Sequence, residues 1–325
     1  MTRFFFRRII LIPLVLLLVH FTGFAFAHIT FQMHQSQTIY GSGREGITPL
    51  WPAYADYMNN AVRGDLGDMP SGVNDPLAGR VARASVISLG LLAIVFCLSN
   101  ALGLVIGMAA VQVEPPRVRS WLTLVSTTGL AMPSFYIGIL FVGGVLFLTQ
   151  GSERATLLPV SGYGWDAHLI LPVLALMIRP TVQVAQVTAE LLAGELSKQY
   201  VIAARSFGHS WQEIRRDKAF RNVLAQVLLS IAGAFRSMVA ELVLVEWLFD
   251  WPGIGRLLVK TLVPPMISSL GGLEDTSAYF LNPAMVSMLL VVFALLFLLA
   301  DTFATGLARA VDPRLNVVEG ESFHE

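Results

Sequence analysis

The sequence predicts an all-α integral membrane protein with six transmembrane helices, a long first outer loop and a polar helical hairpin between the fourth and fifth spans. Three observations carry this prediction. Of 325 residues, 55% are hydrophobic and only 14% are charged, against about 25% charged in ordinary soluble domains. Six apolar stretches are long enough for the ~20 helical residues that cross roughly 30 Å of hydrocarbon. Between two of them, Glu195 to Arg221 breaks the apolar pattern with charged residues at helical spacing.

The first stretch, Ile9 to Ala27, follows Arg3, Arg7 and Arg8 and ends in Ala25, Phe26, Ala27. It imitates a secretory signal, but its apolar run exceeds the 7 to 15 residues of a signal core, so an uncleaved span is expected. The outer segment from His28 to Arg80 is rich in Gly, Asp, Asn and Gln. Within it, Trp51, Tyr54, Tyr57 and Met58 recur at helical spacing, as in a short helix that either lies at the membrane interface or simply packs on the spans. The run Gly41, Ser42, Gly43, Arg44, Glu45, Gly46 matches G-x-G-x-x-G literally, but it follows a membrane span instead of a strand and reads as linker.

Spans two to six are expected at Val81–Val111, Trp121–Thr149, Ala167–Leu192, Val223–Phe249 and Pro283–Leu307. These lie within a core from Val81 to Ala308, before a tail from Arg309. Gly103 and Gly107 make G-x-x-x-G in the second span, a spacing that lets helices pack closely. Pro133, Pro172 and Pro180 free backbone carbonyls in spans three and four, which a membrane tolerates only beside other helices or a wet cavity. Trp251, Pro252, Gly253, Ile254 and Gly255 form a turn on the outer face, followed by a loop to Asn282. Of the 22 basic residues, thirteen fall in segments that are inner if the N-terminus is inside, seven in outer ones and two within spans. That bias puts both termini and the polar hairpin in the cytoplasm.

In the hairpin, Tyr200, Ala203, Ala204 and Phe207 recur at three- and four-residue spacing, giving a short helix one apolar face while Lys198 and Arg205 stay in water. Gly208 supplies a helix stop. Ser210, with Glu213 three residues on, is placed to cap a second helix reciprocally. An amphipathic hairpin held by flanking spans suits insertion into a groove on a soluble partner.

Charges inside spans are costly, at roughly 2.5 to 3.5 kcal/mol each at a helix centre by insertion scales. Arg179 and Glu241 are the sharpest cases, Arg236 is a further candidate, and Glu190, Glu246 and Asp301 lie nearer the span ends. They either line a polar pathway or pair with one another as interhelical glue. Cys97 stands alone in an apolar run, and six scattered histidines show no i, i+4 pair, so no metal site is expected. There is no G-x-S-x-G serine setting for an intramembrane hydrolase. No G-x-x-x-x-G-K-[ST] loop occurs, so any ATP is handled by another chain. The net charge is zero, which gives no field for nucleic acid.

Taken together, these residues resemble the permease subunits of ATP-binding-cassette importers, in the oligopeptide, dipeptide and nickel branch. Ala203, Ala204 and Gly208 fit the E-A-A-x-x-x-G core of the permease cytoplasmic loop, with Ile202 where the pattern has glutamate. Gly64-Asp65-Leu66-Gly67 is similar to the outer G-D-L-G signature, and Pro133-Ser134-Phe135-Tyr136 to P-x-F-W. Leu158, Pro159, Ser161 and Gly162 resemble L-P-x-S-G, and Asp312-Pro313-Arg314 the closing D-P-R. Glu246 with Trp251 to Gly255 resembles E-x-x-F-x-x-P-G-x-G. The outer loop from Val263 to Tyr279 looks longer than the branch usually has.

The resemblance implies a type I importer permease in the bacterial inner membrane, with no enzymatic activity and no cofactor of its own. It would pair with a homologous permease. ATP and magnesium would sit on two ATP-binding subunits, and an extracytoplasmic substrate-binding protein would deliver peptides or chelated nickel. It further implies that Tyr200, Ala203, Ala204, Phe207, Gly208, Ser210 and Glu213 couple to the ATPase, and that Trp251, Pro252, Gly253 and Gly255 serve substrate delivery. The competing reading is a secondary transporter or channel that uses Arg179, Arg236 and Glu241 as an ion relay.

Overall fold

Apolar length dictates long helices, and the computed structural model, which describes residues 2–37, 48–67, 76–149, 158–264 and 280–311, is built almost wholly from them. The Gly41 to Gly46 string, most of the 263–279 loop and Asp312-Pro313-Arg314 lie outside the described residues. Contacts divide the chain into two compact units. The larger comprises Leu91–Phe249 and Leu299–Glu325, the smaller Thr2–Gly90 and Asp250–Leu298.

In the smaller unit, α1 (Thr2–Gln37) continues ten residues past the expected end at Ala27. Its polar end stays helical because His28 and Gln32 both reach the carbonyl of Thr48, at 3.0 and 2.8 Å. The short helix expected from Trp51, Tyr54 and Tyr57 is α2 (Leu50–Val62). Tyr54 is buried and packs edge-on against Phe21 and Phe24 of α1. Burial pushes the Tyr54 hydroxyl above its ordinary pKa, so it stays a neutral hydrogen-bonding group facing His20 Nδ1 at 3.2 Å. The unit is completed by the first turns of α3 (Leu77–Ala109), by α10 (Ile254–Leu262) and by most of α11 (Pro283–Val311).

In the larger unit, α6 (Ile170–Leu196) is the central helix, burying most of its side chains against α4, α5 and α9. Pro180 sits within it without ending it, and Thr181 Oγ1 donates to the Met177 carbonyl at 2.7 Å beside the proline. Pro133 behaves differently. The expected third span is two helices, α4 (Ser120–Ala131) and α5 (Ser134–Thr149), bent by 94° at Met132 and Pro133. The described residues therefore hold five helices long and apolar enough to cross a membrane, or six if this bent pair counts as one.

Two further departures are local. After α3 the chain forms a two-stranded hairpin, β1 (Val111–Val113) antiparallel to β2 (Pro116–Val118), which an all-α reading did not anticipate. The second helix of the polar hairpin is also not separate from span five. A single turn, α8 (Trp211–Glu213), widens into π-turns over Ile214–Ala219 and runs straight into α9 (Phe220–Leu248).

The G-x-x-x-G pair does pack closely, against α6. A Cβ on Gly103 would lie 2.9 Å from the Thr181 carbonyl oxygen, and one on Gly107 only 2.7 Å from that of Ala185. Backbone cannot yield cheaply there, so Gly107→Leu is expected to destabilise by about 1–3 kcal/mol or more, as overpacking does. Gly143→Leu, where a Cβ meets nothing within 4 Å, should not. The thermal midpoint of the purified protein distinguishes the two, and equal midpoints would refute the close packing.

Candidate functional site

The polar interruption folds as expected in outline and divides its apolar residues between two faces. Lys198 leads into α7 (Gln199–Ser206), and Gly208 follows at φ +87°, a left-handed conformation that L side chains rarely adopt. On the inner face Val201 and Ala204 are buried in a cluster with Leu192, Leu196, Ile214 and Ala219, which fastens α7 to the end of α6 and to the π-turns. On the outer face Ile202 is 68% exposed and Phe207 85%, with Ala203 between them also exposed. The single apolar face expected from Tyr200, Ala203, Ala204 and Phe207 is therefore corrected. Ala204 anchors the helix, while Ala203 and Phe207 point away from the anchor.

Sequence reasoning missed the group that clamps this hairpin. Glu195, at the end of α6 and buried, takes an ion pair from Lys198. It also accepts hydrogen bonds from the Tyr200 hydroxyl at 3.1 Å and from Asn222 Nδ2 at 2.9 Å. One carboxylate thus ties the end of α6, the start of α7 and the start of α9. Burial, with the Glu195 charge beside it, pushes the Tyr200 hydroxyl up to about 12. A raised tyrosine pKa favours the fold below the ordinary value near 10, and that gain is lost only as pH climbs through about 12, so the clamp is indifferent to pH across the neutral range.

The reciprocal cap is half formed. Ser210 Oγ accepts from the Glu213 amide at 3.2 Å, but the Glu213 carboxylate turns to the His209 ring at 2.8 Å. Arg205 donates to the His209 carbonyl at 2.9 Å and lies over the Trp211 ring, 4.9 Å from its centroid, which stiffens the turn at Gly208.

Four of the six charges within spans form two ion pairs. Arg179 of α6 bridges to Glu241 of α9, and Ser134, fully buried at the start of α5, donates to the same carboxylate. Arg236 of α9 bonds Asp301 of α11 at 2.8 Å and does not join the Arg179–Glu241 pair. The bend at Pro133 is what presents Ser134 to this pair. Arg179 also heads a polar row that single-residue inspection overlooked. Gln183, Gln186 and Glu190 follow it at helical spacing of four, three and four, and none of the four is buried, on the helix that otherwise buries most. Gln186 accepts from Ser126 at 2.8 Å and donates to Glu190. The signal was present in the sequence as a polar i, i+4, i+7, i+11 row on an apolar helix.

The turn at Trp251 to Gly255 belongs to the smaller unit and is buried: Trp251, Gly253, Ile254 and Gly255 are enclosed, with Pro252 half-buried. The Ile254 amide donates to Ser88 Oγ at 2.8 Å, joining the start of α10 to α3. These residues pack within the smaller unit, and Pro252 and Gly253 also line a cavity beside Arg256. Among the described residues no group of His, Cys, Asp and Glu could hold a metal ion.

A family described as "Binding-protein-dependent transport system inner membrane component" matches residues 99–317. Among curated proteins, the chain is 28% identical to the dipeptide transport system permease protein DppB of Lactococcus lactis subsp. cremoris, over 66% of this chain and 69% of that protein. It is 30% identical to the glutathione transport system permease protein GsiC of Escherichia coli O6:H1, over 66% and 67%. It is 26% identical to the putrescine export system permease protein SapB of Escherichia coli K12, over 79% and 84%. The family match includes the whole hairpin from Glu195 to Arg221 and the polar row of α6.

Proposed function

Since the chain belongs to the family of inner-membrane components of binding-protein-dependent transport systems, we propose that it is the permease subunit of an ATP-driven importer for peptides, with both termini and the polar hairpin in the cytoplasm. The observation that carries the reading is the division of α7. One face is clamped to the spans by Val201, Ala204 and the Glu195 carboxylate, while Ile202, Ala203 and Phe207 are left outside. An anchored helix with an exposed aromatic is the form that fills a groove on a partner. Two ATPase subunits would supply the groove, and closing them would push the hairpin and, through it, α6 and α9. A homologous permease would complete the pathway, and an extracytoplasmic binding protein would deliver cargo. Peptide cargo is favoured because DppB is named for dipeptides and GsiC for glutathione, itself a tripeptide. The names of these relatives differ in cargo and, for SapB, in direction, so a related small solute such as chelated nickel is the next candidate.

The polar row of α6, Arg179, Gln183, Gln186 and Glu190, is assigned to the pathway wall, because a hydrophilic stripe left open on the most enclosed helix needs water or a polar solute beside it. Purifying the chain from its native membrane tests the reading: an ATPase should accompany it, and uptake should follow ATP. Uptake that follows membrane potential, with no ATPase bound, would instead identify a secondary transporter driven through Arg179, Glu241 and Arg236.

Gly208 gives a narrower test. A Cβ there meets nothing within 4 Å, so Gly208→Ala acts through the positive φ, at a cost of about 1–2 kcal/mol. Uptake should fall about tenfold with membrane abundance unchanged. Undiminished uptake would dissociate the turn from coupling.

A further inference from the structure

We infer that Glu190 is the point on α6 where the ammonium group of the cargo is received, so that the transported class is peptides with a free N-terminus. The inference rests on the permease reading and on the polar row of α6 as a pathway wall. Of the six charges within spans, Arg179 pairs with Glu241 and Arg236 with Asp301. Glu246 is fully buried. Glu190 differs from the other five, being exposed and, among the described residues, bonded by no cation. Its bond comes from the Gln186 amide, donated to Oε1, and Oε2 is left open.

This carboxylate is held in place. Ser126, buried on α4, donates to Gln186 Oε1 at 2.8 Å, which turns the amide protons of Gln186 toward Glu190. The relay supplies hydrogen bonds but no positive charge, so the charge of Glu190 is left for a mobile partner. A metal ion is a poor fit. Calcium takes about six to eight oxygens, and among the described residues no group of His, Cys, Asp and Glu comes together to give them. An ammonium needs less, because its three protons can be shared between Oε2 and nearby amide oxygens. The free N-terminus of a peptide is such a group, and it is cationic at neutral pH. Gln183 stands seven residues before Glu190 on the same row, roughly 10 Å along the helix. Its side-chain amide makes no bond among the described residues. An extended peptide covers that distance in about three residues, so a chain whose N-terminus meets Glu190 brings its own backbone amides opposite Gln183.

The test uses the full chain, purified with whatever subunits accompany it and without a delivery protein, so that any discrimination belongs to the permease. Alanylalanine and N-acetylalanylalanine, of which only the first carries an ammonium, are titrated by ligand-observed NMR. Alanylalanine should bind about fivefold more tightly, the upper value for an exposed ion pair. Glu190→Gln should abolish that preference, and Glu190→Asp should keep part of it. Equal binding of the two peptides by the wild type, binding of neither, or a preference that persists in Glu190→Gln overturns the site. Should Glu190→Gln fail to assemble, Glu190→Asp decides, since it keeps the charge on a shorter arm and an undiminished preference there overturns the site as well. ATP-driven uptake of alanylalanine by wild-type native membrane vesicles separates the two levels of the argument. With uptake present and no dependence on Glu190, the importer stands and the site falls. With no uptake, the peptide importer falls and the site falls with it.

Discussion

Phe207→Asp is expected to abolish uptake and release the ATPase while leaving the permease folded and in the membrane. The side chain is 85% exposed at the end of α7, so its loss removes nothing that holds the chain together. In a groove it would be an aromatic anchor, and truncating such an anchor typically costs 2 kcal/mol or more of binding, about thirtyfold or more in affinity. A carboxylate in its place adds the penalty of an unpaired buried charge. Val201→Asp, on the opposite face, should fail for another reason. Val201 lies in the cluster that fastens α7, so the protein itself should be lost from the membrane. Pull-down and uptake measured beside membrane abundance separate the two. If Phe207→Asp retains both ATPase and uptake, the outer face of α7 is not the contact.

Glu241→Ala should have the second largest effect. It leaves the Arg179 guanidinium inside the bundle without its carboxylate and takes the acceptor from buried Ser134. Removing one partner of a fully buried ion pair costs about 3–5 kcal/mol, and less is expected here because the Arg179 side chain is 35% exposed, whereas replacing both partners by apolar residues is often neutral. Abundance and thermal midpoint should therefore fall in Glu241→Ala and recover in the double variant Arg179→Met with Glu241→Leu. Uptake should stay lost in that double variant, since a pathway wall needs its charge even when the fold does not. Recovery of uptake along with abundance would reduce the pair to interhelical glue.

The spans were legible because the bilayer asks one thing of a helix, about twenty apolar residues, and composition answers it directly. The hairpin was legible from Gly208 and Ser210, whose conformational and capping roles are local. What escaped depended on partners remote in sequence. Periodicity shows that α7 has apolar residues but not which of them meet the chain's own core. Val201 turns inward because Leu192, Leu196 and Ile214 are there to receive it. Glu195 reads as the first polar residue of a loop until Asn222, 27 positions on, is brought to its carboxylate. Pro133 and Pro180 are the same residue type in two apolar spans, yet one breaks its helix by 94° and the other does not. Beside Pro180, Thr181 serves the Met177 carbonyl, whereas past Pro133 it is Ser134, bonded to Glu241, that fixes the new direction.

The passage of the hairpin into span five without a joint has a mechanical consequence. Trp211 to Leu248 is one rod of 38 residues, roughly 57 Å long at 1.5 Å per residue. Torque applied at its lower tip has no swivel in which to dissipate. The widened turns at Ile214–Ala219 change only its angular phase, by roughly 100° for each residue inserted into the winding. The bearing of Trp211 at the hairpin end and the bearing of Glu241 further along the span are thus set independently of each other, though any rotation of one is a rotation of both.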